Sequence, residues 1–196
     1  MGKQVTDKYA EAFERIGRLC KSKEKVVVGI DGNSCAGKSS LAKKIAEKYD
    51  CNVFHMDDFF LRPSQRTLER LEEPGGNVDY ERFKSEVADK IMQGKPFCYR
   101  PFDCSKQEFR PDIEVVPKKI AIVEGSYSMH PYLEIKYDLR IFLETGRETQ
   151  RARVLERNGP RMYKRFTEEW IPMENKYFNA FDIRARSDLI YKTQLR

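Results

Sequence analysis

The chain alternates short apolar runs with longer segments whose apolar residues recur at helical spacing. Residues 26–30 and 120–123 are runs of this kind, which are typical of strands buried on both faces of a parallel sheet. The pattern predicts strands over residues 25–31, 51–56, 119–124, 137–144 and 189–191. The last of them is expected at an edge of the sheet.

Helical periodicity dominates the segments between the strands. Residues 6–20, for example, place Tyr9 and Ile16 on one face, as in an amphipathic helix. Helices are predicted over residues 6–20, 39–49, 80–92, 147–157 and 166–180. In contrast, residues 63–77 are predicted as a loop and residues 97–117 as irregular or short-stranded, because prolines and glycines interrupt them.

Strands that alternate with helices predict an α/β fold, with a parallel sheet of about five strands flanked by helices. No internal repeat, low-complexity segment or linker divides the sequence. We therefore expect one domain over residues 1–196, which begins with the helix over residues 6–20 and contains an arginine-rich region over residues 147–165.

Composition restricts the class of protein. The formal net charge is +6, but lysine and arginine are spread along the chain without a nucleic-acid-binding motif, so an anionic small molecule is favoured over RNA or DNA. The apolar runs are too short to cross a bilayer, and the first residues lack the apolar core of a secretion signal. The five cysteines form no CxxC pair, which fits reduced thiols. These features predict a cytoplasmic protein with no nucleic-acid or membrane partner, and they leave a homo-oligomer open.

A glycine-rich loop follows the first predicted strand and precedes a predicted helix, which is the order that a phosphate-binding loop requires. Gly32 and Gly37 permit backbone torsions that aim N–H groups at an anion. Lys38 would contact the β- and γ-phosphates, and the Ser39 hydroxyl would bind magnesium. The motif predicts binding of ATP, or another nucleoside triphosphate, with Mg²⁺ through Gly32, Asn33, Ser34, Cys35, Ala36, Gly37, Lys38, Ser39 and Ser40.

An acidic pair, Asp57 and Asp58, comes directly after the second predicted strand. Ligands of open parallel sheets bind at the carboxyl ends of the strands, so Asp57 is expected beside the phosphate loop. There it could accept a proton from an attacking hydroxyl and help to organise magnesium, which makes Asp57 and Lys38 the candidate catalytic residues. The alternative is that the pair only caps the following turn, and this is favoured for Asp58.

A further acidic residue, Glu124, ends the predicted strand over residues 119–124 and is followed by Gly125. Beside a phosphate loop, an acid in this position is expected to hold a magnesium-bound water. Ser39 and Glu124 are therefore the candidate metal-binding residues. The alternative is a simple turn at the end of the strand.

Arginines are concentrated between residues 147 and 165, around the break formed by Asn158, Gly159 and Pro160. Such a segment could close over the triphosphate as a lid and neutralise charge in the transition state. Arg153 and Arg157 share one helical face and are the candidates for binding ATP. The alternative is a solvated basic face with acidic partners.

Several segments, taken in this order, resemble the uridine kinase and nicotinamide riboside kinase branch of P-loop kinases, which also includes phosphoribulokinase. The resemblance extends over most of the chain and rests on residues 32–39, 57–60, 77–79, 99–103, 123–125, 170–173 and 176–177. It implies the three-layer P-loop NTPase fold with an arginine-rich lid, and transfer of the ATP γ-phosphate to a primary hydroxyl, typically the ribose 5′-OH of a nucleoside. It also implies that Asp57 is the catalytic base and that Asp79 binds the ribose hydroxyls.

The segment that would contact the base departs from that of uridine kinases, which carry Tyr-Asp-Phe and then a histidine. Here Phe102 replaces the tyrosine and Gln107 stands at the histidine position. Phe102 can still stack on a base, and Gln107 can still donate and accept hydrogen bonds. The candidate acceptor-binding residues are Asp57, Asp79, Phe102, Asp103, Gln107 and Arg157. A nucleoside kinase is predicted; the alternatives are a kinase of a non-nucleoside alcohol (a sugar, a glycerate or a vitamin precursor) and a nucleotide-binding regulatory protein.

Overall fold

The computed structural model describes residues 8–193. Its strands are β1 (Val26–Gly32), β2 (Cys51–His55), β3 (Phe97–Tyr99), β4 (Phe102–Asp103), β5 (Glu108–Phe109), β6 (Ile113–Val115), β7 (Ile120–Glu124), β8 (Leu139–Thr145) and β9 (Leu189–Thr193). Its α-helices are α1 (Ala10–Ser22), α2 (Lys38–Lys48), α3 (Leu68–Glu72), α4 (Tyr80–Phe83), α5 (Asp89–Ile91), α6 (Arg147–Arg165) and α7 (Ile171–Ala180). Two π-helical segments, Lys84–Ala88 and Phe166–Trp170, join α4 to α5 and α6 to α7.

Five strands form one parallel sheet in the order β2-β7-β1-β8-β9. At its centre, Gly29 of β1 lies opposite Val123 of β7 and Arg140 of β8. Parallel neighbours must be joined by crossover connections, and the helices lie within these connections. The predicted sheet of five parallel strands is confirmed, with β9 at one edge.

Apolar side chains cover both faces of the sheet, because successive residues of a strand point to opposite sides. Val28 of β1 belongs to a core cluster that includes Ile16 of α1 and Leu41 of α2. Its neighbour Val27 belongs to a second cluster, which includes Tyr177 of α7. Helices therefore pack against each face, and the predicted three-layer α/β fold is confirmed.

The segments predicted with least regular structure contain short elements. Residues 97–117 form two antiparallel pairings, β3 with β6 and β4 with β5. The predicted loop over residues 63–77 contains α3. The helix predicted over residues 6–20 is observed from Ala10 to Ser22, and its first two predicted residues lie outside the described range.

The helix predicted over residues 147–157 continues to Arg165 as part of α6. Gly159 interrupts its regular geometry with a φ of +75° and a ψ of 172°, so the predicted break is a kink within one helix. Pro160 follows directly and removes a backbone donor at the same place. Within residues 8–193, neither α6 nor any other helix combines the length and the apolarity that crossing a membrane requires.

Candidate active site

The phosphate loop connects the end of β1 to the start of α2. Gly32 has a φ of +132°, and a Cβ there would lie 2.1 Å from the Leu143 carbonyl oxygen, so a larger residue would clash with β8. Farther along, Cys35 and Gly37 adopt φ values of +59° and +97°. Left-handed residues turn backbone N–H groups toward a common concavity, and this concavity faces the N-terminus of α2. The loop therefore has the geometry of an anion-binding site.

The ammonium group of Lys38 lies over this loop. Its Nζ donates to the carbonyl oxygens of Gly32 at 2.8 Å and Asn33 at 2.9 Å, and lies 3.2 Å from Ser126 Oγ. Because Ser126 follows β7, the lysine links the carboxyl ends of two neighbouring strands. Ligands of open parallel sheets bind at this edge.

A cavity of about 660 Å³ adjoins the loop. Its lining includes ten of the residues predicted to bind ATP or metal or to act in catalysis: Ser34, Cys35, Gly37, Lys38, Ser39, Ser40, Asp57, Glu124, Arg153 and Arg157. The remaining loop residues, Gly32, Asn33 and Ala36, shape the loop without lining the cavity. Four aromatic residues also line the cavity: Phe60, Tyr127, Phe166 and Trp170. An anion-binding loop and an aromatic wall thus border the same space.

Asp57 lies on this lining, directly after the end of β2. Although Asp57 is exposed at the cavity, partial desolvation by the surrounding protein raises the pKa of its carboxyl above the usual value; the nearby Lys38 ammonium opposes this shift. A raised pKa makes a carboxylate a stronger proton acceptor. The end of β2 thus places this carboxylate on the same cavity as the phosphate loop, and its role as a base stays a prediction.

Glu124 is buried at the end of β7 and pairs with His55 at the end of β2. His55 Nδ1 lies 2.5 Å from Glu124 Oε1, and this hydrogen bond raises the pKa of the imidazole. The contact follows from the strand register, in which the two residues lie directly opposite each other. The pairing holds the Glu124 carboxylate on the cavity lining.

Oxygen atoms of Ser39, Asp57 and Glu124 border this one cavity, and hydroxyl and carboxylate oxygens are ligands that Mg²⁺ prefers. Among the residues that the structure describes, no group of three or more His, Cys, Asp or Glu side chains could hold a metal ion. Mg²⁺ commonly combines one or two carboxylates with the phosphate oxygens of its nucleotide. The donor set therefore fits a magnesium ion that is bound jointly with a triphosphate.

The two predicted arginines of α6, Arg153 and Arg157, differ in their contacts. Arg153 Nη1 donates to the Cys35 carbonyl oxygen at 3.1 Å and to Thr193 Oγ1 at 3.3 Å, so it ties the helix to the phosphate loop and to β9. Arg157 is exposed at the cavity, and its charge acts to lower the pKa of Asp57. Of the two, Arg157 is the more exposed.

Asp79, predicted to bind the ribose, borders a different space. It lines a separate groove of about 670 Å³ together with Gln65 and Arg82. Its carboxylate caps α4 by accepting from the Arg82 N–H at 3.1 Å, and it also accepts from Gln65 Nε2 at 2.8 Å. A role in acceptor binding stays a prediction for this residue.

The other predicted base-contacting residues stabilise the hairpin formed by β4 and β5. Phe102 packs edge-on against Phe109, with 5.4 Å between the ring centroids. Asp103 accepts from the N–H and hydroxyl of Ser105, and Gln107 donates to a carbonyl within the turn. The structure does not bring Phe102, Asp103 or Gln107 to the cavity, so their contact with an acceptor also stays a prediction.

Sequence patterns missed one buried group of the site, Glu174 of α7. Its Oε2 accepts from the Ser34 backbone N–H at 3.1 Å, and its Oε1 accepts from Ser126 Oγ at 2.8 Å and from the Ser34 hydroxyl. Glu174 lies 140 residues from Ser34 in the chain, and no local motif marks it. The only available signal was its place between residues 170–173 and residues 176–177, two segments that carry the family resemblance.

Comparison with known proteins shows that this fold is shared with P-loop kinases. No family model matches the chain. Uridine-cytidine kinase C from Dictyostelium discoideum is 30% identical over 123 residues, which are 62% of this chain and 27% of that protein. The chain therefore spans about a quarter of the length of this relative.

Two solved structures are similar over nearly their whole length. A possible uridine kinase from Bacillus stearothermophilus has a TM-score of 0.62 at 20% identity, covering 92% of this chain and 99% of that one. A candidate fructose transport system kinase from Silicibacter sp. TM1040 has a TM-score of 0.67 at 21% identity, covering 95% and 99%. At these identities the likeness concerns the fold. Together with the phosphate-loop geometry, these similarities confirm the predicted resemblance: the chain has the fold of the uridine kinase-like P-loop kinases.

Proposed function

We propose that this protein is an ATP-dependent small-molecule kinase that transfers the γ-phosphate to a primary hydroxyl. One observation carries the proposal: the Asp57 carboxylate and the Lys38 phosphate loop border the same cavity. Phosphoryl transfer needs a group that accepts the proton of the attacking hydroxyl and positive groups that hold the phosphates. The Asp57 carboxylate is the first kind of group and the Lys38 ammonium is the second, and both residues line one cavity.

In the proposed reaction, the acceptor oxygen forms a bond to the γ-phosphorus. The bond between that phosphorus and the β–γ bridging oxygen breaks, and ADP leaves with this oxygen. Asp57 takes the hydroxyl proton, while Lys38 and Arg157 offset the charge on the phosphoryl oxygens. Ser39 and Glu124 would hold Mg²⁺, which when bound supplies further positive charge at the β- and γ-phosphates.

A nucleoside is the acceptor that the cavity favours. Its aromatic residues, Phe60, Tyr127, Phe166 and Trp170, offer surfaces on which a planar base can stack. Asn77 lines the same cavity and can both donate and accept hydrogen bonds with a base edge. The sequence likeness to a protein named uridine-cytidine kinase supports the same class of acceptor.

A non-nucleoside alcohol, such as a sugar, is the second candidate. It is favoured by the position of Asp79, Phe102 and Gln107, which lie away from the cavity and make contacts within the protein. An acceptor smaller than a nucleoside would not need them. Screening nucleosides, nicotinamide riboside and small alcohols for acceptor-dependent ADP release separates the two candidates.

Asp57→Asn tests the proposed reaction itself. Loss of the base should lower kcat by about 10²- to 10⁴-fold, while binding of an ATP analogue, measured by calorimetry, should persist. Asp58→Asn is the matched control, because it removes the neighbouring carboxylate, which pairs with Arg110. Near-normal turnover by Asp57→Asn would return Asp57 to a capping role, and no ADP release with any acceptor would reject the kinase proposal.

A further inference from the structure

Helix α7 holds the phosphate loop and its supporting strand at two places on one helical face. Glu174 contacts Ser34 within the loop. Three residues later, Tyr177 donates its hydroxyl to Asp31 Oδ2 at 2.7 Å, and Asp31 Oδ1 accepts from the Gly32 N–H at 2.7 Å. Residues three apart on a helix share a face. One turn of α7 therefore touches both the start and the middle of the loop region.

The Glu174 carboxylate also reaches Lys38, through Ser126. Ser126 Oγ lies 2.8 Å from Glu174 Oε1 and 3.2 Å from Lys38 Nζ. A carboxylate that accepts from the serine hydroxyl leaves the serine lone pairs available to the ammonium group. Lys38, Ser126, Glu174 and Ser34 thus form one connected hydrogen-bonded group, in which Glu174 is the negative member.

The helical turn that carries Glu174 is packed into the core. Its residue is 3% exposed, and Tyr177, one turn later, is fully buried. Phe178 of the same turn packs edge-on against Phe142 of β8, with 5.1 Å between the ring centroids. Close packing of these side chains fixes this turn of α7 against the core. The backbone of Glu174 therefore stays beside the phosphate loop, and its side chain also lines the cavity.

We propose that Glu174 is a positioning residue of the phosphate site, which sets the orientation of Lys38 through Ser126 and the backbone of the loop through Ser34. The inference rests on the proposed kinase function. Through the π-helical segment Phe166–Trp170, α7 also continues into the cavity wall. Glu174 consequently joins the wall that would face the acceptor to the loop that would hold the phosphates.

The direction in which nucleotide affinity changes distinguishes a positioning role of Glu174 from a purely electrostatic one. A carboxylate beside a triphosphate repels it, so a merely electrostatic role would make affinity increase when the charge is removed. A positioning role gives the reverse result, because a misplaced Lys38 and a loosened loop bind phosphate less well. Glu174→Gln removes the charge while it preserves the size of the side chain.

The experiment measures binding of a non-hydrolysable ATP analogue with Mg²⁺ by calorimetry, for wild type, Glu174→Gln, Ser126→Ala and the double variant. We expect each single variant to weaken binding by about 10-fold. The double variant should lose about as much as Glu174→Gln alone rather than the product of the two losses, because the effect of Ser126 on Lys38 depends on its contact with Glu174. The KM of the acceptor should change by less than about 3-fold.

Glu168→Gln is the matched control, since Glu168 is exposed in the segment before α7, and it should bind the analogue like wild type. Ser34→Ala provides a separate measurement, because it keeps the backbone contact with Glu174 and removes the hydroxyl contact. We expect it to weaken binding of the analogue by less than Glu174→Gln does. This variant tests the inference even if Glu174→Gln does not fold. Unchanged or tighter binding in the Glu174 and Ser126 variants, or additive losses, would overturn the inference. Failure of wild type to bind the analogue would instead count against the proposed function.

Discussion

Asp79 has a structural role, and any function in acceptor binding must be compatible with it. It accepts from the Arg82 N–H at the start of α4, and its second oxygen accepts from Gln65. The guanidinium of Arg82 lies 3.6 Å from the same carboxylate. These contacts hold the side chain at its separate groove. A helix cap and a ligand contact can coexist in one carboxylate, because each oxygen accepts more than one hydrogen bond.

Comparing Asp79→Asn with Asp79→Ala separates the two roles. Asparagine caps helices about as well as aspartate, whereas alanine loses the cap at a cost of about 1 kcal/mol of unfolding free energy. If Asp79 binds acceptor hydroxyls, both variants should raise the acceptor KM by about 10-fold or more, with the KM for ATP nearly unchanged. An acceptor KM that stays normal in Asp79→Asn would assign the residue to the cap alone.

At the scale of elements, local sequence patterns were sufficient to predict site residues that lie in one stretch of chain or at the end of a strand. The strand, loop and helix around Gly32 and Lys38 follow each other directly, and Asp57 sits at a strand end, so their meeting could be predicted. Glu174 could not be found this way, because its contact with Ser34 spans 140 residues and depends on how α7 packs. Short strands were expected as one possibility within residues 97–117, but the bounds and pairing of β4 and β5 were beyond prediction, since two-residue strands carry almost no periodic signal.

The kink in α6 originates at a single residue, Gly159. Gly159 combines a φ of +75° with a ψ of 172°, a region of backbone space that is essentially restricted to glycine. The kink separates Arg153 and Arg157 from the cavity residues Met162 and Phe166. It therefore sets the angle at which the two halves of α6 meet the cavity.

Gly159→Ala should lower stability by about 1–3 kcal/mol or straighten the helix, and in both cases disturb the cavity wall. We expect the KM for ATP to rise several-fold as the arginines shift relative to the phosphate loop. Gly94→Ala is the control: Gly94 also has a positive φ, of +68°, with open space around it, but it does not line the cavity. Thermal unfolding and ATP kinetics on both variants test the point, and equal KM values for the two would contradict it.

At the scale of the whole molecule, Asp31 joins parts of the fold that are distant in sequence. It is fully buried in β1, and its carboxylate accepts from Gly32 N–H, from Met129 N–H at 3.0 Å and from the Tyr177 hydroxyl. The central strand, the segment after β7 and helix α7 therefore meet at one side chain. The two apolar faces of β1 could be predicted from its run of valines, but this buried acid between them could not, because its partners come from other elements.

The pH dependence of stability follows from that burial, which raises the pKa of Asp31 from its ordinary 3.8 to about 6. A native pKa above the unfolded one means that the folded protein binds the proton more tightly. Stability from this group is therefore full below about pH 4 and falls as the pH rises to about 6. A shift of about two units corresponds to about 3 kcal/mol.

Asp31→Asn cannot titrate, so its mismatched hydrogen bonds should add a cost that does not vary with pH. Urea unfolding from pH 4 to pH 7 should then show wild type losing about 2.4 kcal/mol relative to Asp31→Asn across this range. Tyr177→Phe supplies a second check. The tyrosine hydroxyl stabilises the charged carboxylate, so its removal should raise the pKa of Asp31 further and carry the loss of stability to higher pH. Parallel pH profiles for wild type and Asp31→Asn would contradict a raised pKa, because a group that titrates alike in both states leaves no slope.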